Sequence, residues 1–179
     1  MNQYSCAPVF FYAYRPFANK QSENDGGFSV TLFENGSLVY CRFAEGSVCI
    51  DQKAFFFRQE LNNAYRDLLL RSAGWLTTVP PIMRLPGEHR SASCFAYDGV
   101  EPIHVWDLDD LVLQPFASPA GLYARRLHML FEEVSILLSA YGIFLKADSF
   151  WWDPAVLVPA DQQSGRQGEM PYGFDALAN

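Results

Sequence analysis

Asn35-Gly36, set between two runs of alternating apolar residues, is the feature that most narrows the folds open to this chain. The pair suits a two-residue type I′ turn, because both central positions of that turn need positive φ. A hairpin closed there pairs Leu32 with Val39, Val30 with Cys41 and Phe28 with Phe43. A second tight turn at Glu45-Gly46 sets Phe43 against Val48 and Cys41 against Ile50. Both registers put only apolar residues, Phe28 to Ile50, on one face of a three-stranded antiparallel meander. The other face is mixed, with Phe33, Leu38 and Tyr40 among Ser29, Thr31 and Arg42. A one-residue slip would turn the apolar set outward, so the pattern specifies a register. The same register places Cys41 and Cys49 on opposite faces, where they are not expected to bond.

An apolar sheet face needs a cover, and two helical stripes supply it. Asp51 reads as an N-cap for a helix over about 52–73, with Phe57, Leu61, Ala64, Tyr65 and Leu68 at helical spacing and Gly74 at the C′ position. Ser118 and Pro119 open a longer helix over about 119–141, whose stripe runs from Tyr123 through Leu127, Phe131 and Val134 to Tyr141 and ends at Gly142. Between them, Ser91–Tyr97, a turn at Asp98-Gly99 and Ile103–Trp106 read as a second hairpin within 91–106. Val9–Tyr14 and Ile143–Ala147 are further strand candidates. The fold class is therefore α+β: an antiparallel sheet, built from the 28–50 meander and the 91–106 hairpin, covered by two amphipathic helices. Two ββα units sharing one sheet is a topology this order permits.

The chain has 179 residues, half of them hydrophobic and 16% aromatic, enough for one well-filled core. Residues 1–158 read as a single globular domain, and 159–179, rich in Pro, Gln and Gly, as an extended or disordered tail. The formal charge of -7 argues against nucleic acid, whose binding rests on phosphate neutralisation by Lys and Arg. The apolar stretch Leu122–Leu145 is broken by five charged or histidine residues, so no membrane span is expected. With no export signal and four scattered cysteines, the composition implies a soluble, cytoplasmic protein with reduced, mostly buried thiols.

No stretch carries a nucleophile, phosphate-loop or metal-ligand motif, and no cofactor or metal is expected. Six residues stand out as weak binding candidates. Asp107 and Asp109 alternate on an extended segment and would share a face. Asp148, Trp151, Trp152 and Asp153 form a tryptophan pair flanked by carboxylates. Alternation along a strand exposes one of the two rings unless the tail folds over it. Exposed aromatic surface beside carboxylates suits a basic protein partner, so the leading expectation is a non-catalytic protein-binding module. Two other readings compete. One is a small-ligand binder with an apolar pocket between sheet and long helix. The other is an enzyme assembled from dispersed residues such as Asp107, Asp109, His104 and Asp148. The half-apolar second sheet face also offers a surface for homodimerisation.

Overall fold

A computed structural model describes residues 6–15, 26–44, 48–57, 59–97, 100–115 and 118–160. Among the described residues, nine strands and three helices follow in order: β1 (Pro8–Tyr14), β2 (Phe28–Phe33), β3 (Ser37–Phe43), β4 (Cys49–Phe56), α1 (Gln59–Leu76), β5 (Ile82–Met83), β6 (Ser91–Tyr97), β7 (Val100–Trp106), α2 (Leu108–Val112), α3 (Pro119–Ser139), β8 (Ile143–Lys146) and β9 (Ser149–Trp152). The first seven strands form one sheet in the order β4-β3-β2-β1-β6-β7-β5, antiparallel except where β5 joins β7. β8 and β9 pair as a separate hairpin. The fold is α+β, the two expected hairpins share one sheet, and β1 lies between them. No described helix is long and apolar enough to cross a membrane.

The β2–β3 turn corrects the expected register by one residue. Gly36, at φ 77°, donates its N–H to the Phe33 carbonyl at 2.9 Å, while Asn35 keeps negative φ. The Asn35 carboxamide oxygen accepts from the Ser37 N–H at 2.9 Å and from the Ser37 hydroxyl at 2.6 Å. This is a three-residue turn with glycine at the left-handed position, and it pairs Leu32 with Leu38 instead of Val39. The physical consequence of a one-residue shift is a swap of faces on β3. Leu38 and Tyr40 join Phe28, Val30 and Leu32 on the core side, while Val39 and Cys41 go to the other side with Ser29 and Thr31. The turn expected at Glu45-Gly46 lies outside the described residues. Beyond it, Phe43 pairs with Cys49, and the shift next to Arg42–Asp51 leaves Ile50 as a bulge. That extra residue turns Cys49 to the same side as Cys41, contrary to the expectation of opposite faces. Burial first, and then the adjacent Cys49 side chain, pushes the Cys41 thiol up to about 12. All four cysteines are free; Cys49 is exposed and the other three half-buried, so they are less buried than their number and scatter suggested.

Asp51 is not a helix cap. β4 runs on through it to Phe56, and α1 starts only at Gln59 and ends at Leu76, past the glycine expected to stop it. Gly74 is exposed inside the last turn, and a Cβ built there meets nothing within 4 Å. Gly74→Ala should therefore raise stability by about 0.5–1 kcal/mol, because alanine has less backbone entropy to lose in a helix. Denaturant titration checks this; a loss of stability would show that the last turn is not helical in solution. α3 follows expectation closely. Ser118 accepts from the Gly121 N–H at 3.0 Å, Pro119 occupies the first turn, and Leu127, Leu130, Phe131, Val134 and Leu138 are buried.

Both long helices cover the same sheet face. The Tyr65 hydroxyl of α1 donates to the Val9 carbonyl at 2.8 Å, and Phe131 of α3 packs on Tyr12 with ring centres 4.9 Å apart. The outer strands of that face are covered by the β8–β9 hairpin: Phe150 stacks on Tyr40 at 4.4 Å and Trp152 packs on Phe55 at 5.3 Å. Leu157 closes the edge of the same core. The opposite sheet face, with Phe11, Ser29, Thr31, Val39, Cys41, Cys94 and His104, contributes nothing to that core cluster.

Candidate functional site

Strand alternation on β1 points Phe10, Tyr12 and Tyr14 to the helix side. Phe10 is in the core, but the two tyrosines reach toward the end of the sheet where β7 passes into α2. There Asp107 takes a left-handed conformation, φ 48° and ψ 56°, the only non-glycine at positive φ among the described residues. Aspartate tolerates that region better than most residues because its short side chain bonds locally. Its side chain is buried, and its carboxylate accepts from the Arg90 N–H at 2.7 Å and the Ser91 N–H at 2.9 Å. The second oxygen lies 2.7 Å from His89 Nδ1. Asp107 thus ties the loop entering β6 to the end of β7. The turn delivers Asp109 and Asp110 into the first turn of α2, both exposed. Asp109 also reaches α3, with Oδ1 3.4 Å from His128 Nε2.

The β8–β9 hairpin brings the fourth carboxylate. The Tyr12 hydroxyl donates to the Ala147 carbonyl at 2.5 Å, holding the hairpin turn against β1 and leaving Asp148 at its tip. Tyr12, Tyr14, Asp107, Asp109, Asp110 and Asp148 consequently line one cleft of about 240 Å³, with Arg90 and Ser91 at its wall. Burial, then the nearby Asp109 and further out Asp148, push the Tyr12 hydroxyl far above the usual tyrosine range, with the Ser91 side chain opposing in part. Tyr12 is therefore a fixed proton donor. The carboxylate field that adds to burial there is the one a bound cation would meet.

Of the six residues singled out in the sequence, Asp107, Asp109 and Asp148 converge in this cleft, although Asp107 is spent on its own loop. Trp151, Trp152 and Asp153 do not line it. Alternation separates the tryptophans as expected: Trp152 faces the sheet, while Trp151 is 52% exposed and stacks on Phe144 at 3.9 Å. Asp153 accepts the Ala155 N–H at 2.9 Å and shapes the turn that returns Leu157 to the core. The tail beyond Ala160 lies outside the described residues.

Sequence reasoning missed Tyr12 and Tyr14; Asp110 stood out only as part of the acidic stretch 107–110, and His89 read as an ordinary loop histidine. The Tyr-x-Tyr spacing on a strand was a signal that both rings share a face, but nothing local connects them to aspartates far along the chain. His104, offered as an enzyme residue, points to the face opposite the cleft, beside Trp106. The space between sheet and α3 is packed by Phe10, Tyr12 and Phe131. Among the described residues no three His, Cys, Asp or Glu side chains are grouped to hold a metal ion. No family model matches the chain, and no curated protein matches it.

Proposed function

We propose that this chain is a non-catalytic protein-binding module that docks a basic side chain of a partner protein in the acidic cleft between α2 and the β8–β9 tip. One observation carries the reading: two distant segments bring Asp109, Asp110 and Asp148 to the mouth of a concavity walled by Tyr12 and Tyr14. The half-buried Tyr14 ring beside carboxylates suits a lysine or arginine, whose apolar stem lies on that ring while its charge meets the acids. The exposed Trp151, on the hairpin that carries Asp148, adds apolar contact for the segment flanking that side chain. An enzymatic reading is weaker because the buried carboxylate, Asp107, already serves two backbone N–H groups and His89.

Calorimetric titration with an oligo-arginine peptide tests the proposal. Binding is expected, weakening as salt rises, since exposed charge pairs are screened. The double variant Asp109→Asn with Asp148→Asn should weaken it about two- to thirtyfold, from ~0.2–1 kcal/mol for each of two exposed pairs. Asp67→Asn, on the exposed side of α1, should leave it unchanged. Absence of binding, or equal loss from Asp67→Asn, would remove the cleft from consideration.

A further inference from the structure

The two edges of the seven-stranded sheet are treated differently. β5 is two residues long and lies between Pro80-Pro81 and Pro86, which blunts it as a template for another strand. β4 at the other edge has eight residues, and among the described residues no strand pairs with its outer side. Val48, just before it, is 62% exposed, and Ile50 and Phe56 within it are 42% and 55% exposed.

The direction of its unpaired groups follows from the ladder. The Phe57 N–H donates to the Gly36 carbonyl at 3.1 Å, in line with the pairing of β3 and β4. Backbone direction alternates along a strand, so Phe55, Lys53 and Asp51 also face β3, and Gln52, Ala54 and Phe56 present N–H and C=O outward. Over the regular stretch Asp51–Phe56, past the Ile50 bulge, a second antiparallel copy of β4 must therefore set even-numbered residues opposite even-numbered ones. Only a few registers remain. With the two-fold axis at Lys53, that residue meets itself; at Asp51, two carboxylates meet. With the axis at Gln52, Asp51 lies opposite Lys53 of the other copy, twice over.

We infer that β4 pairs antiparallel with β4 of a second copy of this chain about a two-fold axis at Gln52, continuing the sheet across both molecules. Within one molecule Asp51 and Lys53 are 3.4 Å apart on the same side of the strand. In the pair, the four charges alternate in sign around the axis, and each lies between two of opposite sign. The Gln52 residues exchange both backbone hydrogen bonds, and Asp51 opposite Lys53 occupies the position where facing side chains come closest. An isolated lysine on an edge discourages strand pairing in general. Set two residues from an aspartate, it opposes the registers centred on Asp51 and on Lys53, and the register centred on Gln52 is the one that pairs both charges with opposite sign. The inference is independent of the cleft, which lies over β1, the start of β6 and the end of β7, two strands or more from β4.

Sedimentation equilibrium of the full chain decides it. The wild type should be a dimer at micromolar concentration. Asp51→Lys and Lys53→Asp should each weaken the dimer about tenfold or more, because two symmetric contacts turn from attraction to repulsion together. The double variant Asp51→Lys with Lys53→Asp restores opposite charges in the same register and should recover the dimer. Gln52→Pro gives an independent check: it removes an N–H that faces away from β3, so the monomer's ladder stays intact while pairing is blocked. A monomeric wild type overturns the inference. Dimers unaffected by any of these changes would overturn it too, and would point to a different interface.

Discussion

Replacing Phe10 by alanine is expected to cost about 4 kcal/mol, the upper part of the range for emptying a buried aromatic site. The ring is 1% exposed and meets Tyr65 of α1, Phe95 of β6 and Phe131 of α3 at centroid distances of 6.1, 5.7 and 6.4 Å. Three separate elements lose contact at once, and none can close the gap without moving the sheet. Phe10→Leu keeps most of the volume and should cost only about 1–1.5 kcal/mol. Phe11→Ala is the comparison that matters. Its ring is half-buried and lies on the opposite sheet face, outside the core cluster, so its loss should cost under about 1.5 kcal/mol. Chemical denaturation of the three variants checks the order. If Phe11→Ala proved as costly as Phe10→Ala, the second face would be packed as tightly as the first, and the one-sided core described above would be wrong.

The second large effect is expected at Asp107. Asp107→Ala removes the acceptor for the Arg90 and Ser91 N–H groups and for His89. Hydrogen bonds to a charged acceptor are worth about 1.5–3 kcal/mol each when the donors are left without a partner. Alanine is also poorly suited to φ 48°. At the low end of that range the two backbone N–H groups alone give a loss of about 3 kcal/mol, or roughly 6–12 °C in Tm for a domain of this size. Two further substitutions divide the causes. Asp107→Gly removes the backbone strain and keeps the hydrogen-bond loss, so it should fall slightly short of alanine. Asp107→Asn retains one carbonyl oxygen for the two N–H groups and tolerates the left-handed region, so it should cost only about 1 kcal/mol. Equal stability of the alanine variant and the wild type, by thermal and denaturant unfolding, would show that the carboxylate holds nothing.

The parts of this fold that were legible in the sequence are those set by short-range chemistry. α3 announced itself through Ser118, Pro119 and an apolar stripe at helical spacing, and the structure keeps each of them. The strand at Val9–Tyr14 and the hairpin at 91–106 were carried by β-branched and aromatic runs. The meander was visible but its register was not, because Asn35-Gly36 serves a two-residue and a three-residue turn equally well. Only the pairing decides between them. α1 was placed too early because Asp51 is a good cap in isolation, whereas Phe55 is needed to bury against Trp152 and draws the strand onward. The cleft was half legible. Asp107, Asp109 and Asp148 drew notice as carboxylates, but their convergence depends on the Tyr12 bond to Ala147, which spans most of the chain.

β1 lies in the middle of the sheet, yet it is the first of the described strands in sequence. It pairs on one side with β2, close in sequence, and on the other with β6, the longest sequence separation of any strand pair in the sheet. During synthesis the order of arrival is therefore unfavourable. At roughly 5–20 residues per second, β1 waits on the order of seconds between gaining β2 and meeting β6. Throughout that interval the nascent sheet has two open edges, and the apolar side of β1, with Phe10 and Tyr12, has neither α3 nor β6 to cover it. A strand that ends as the best-protected in the protein begins as its most exposed, and the nascent chain is where that exposure must be managed.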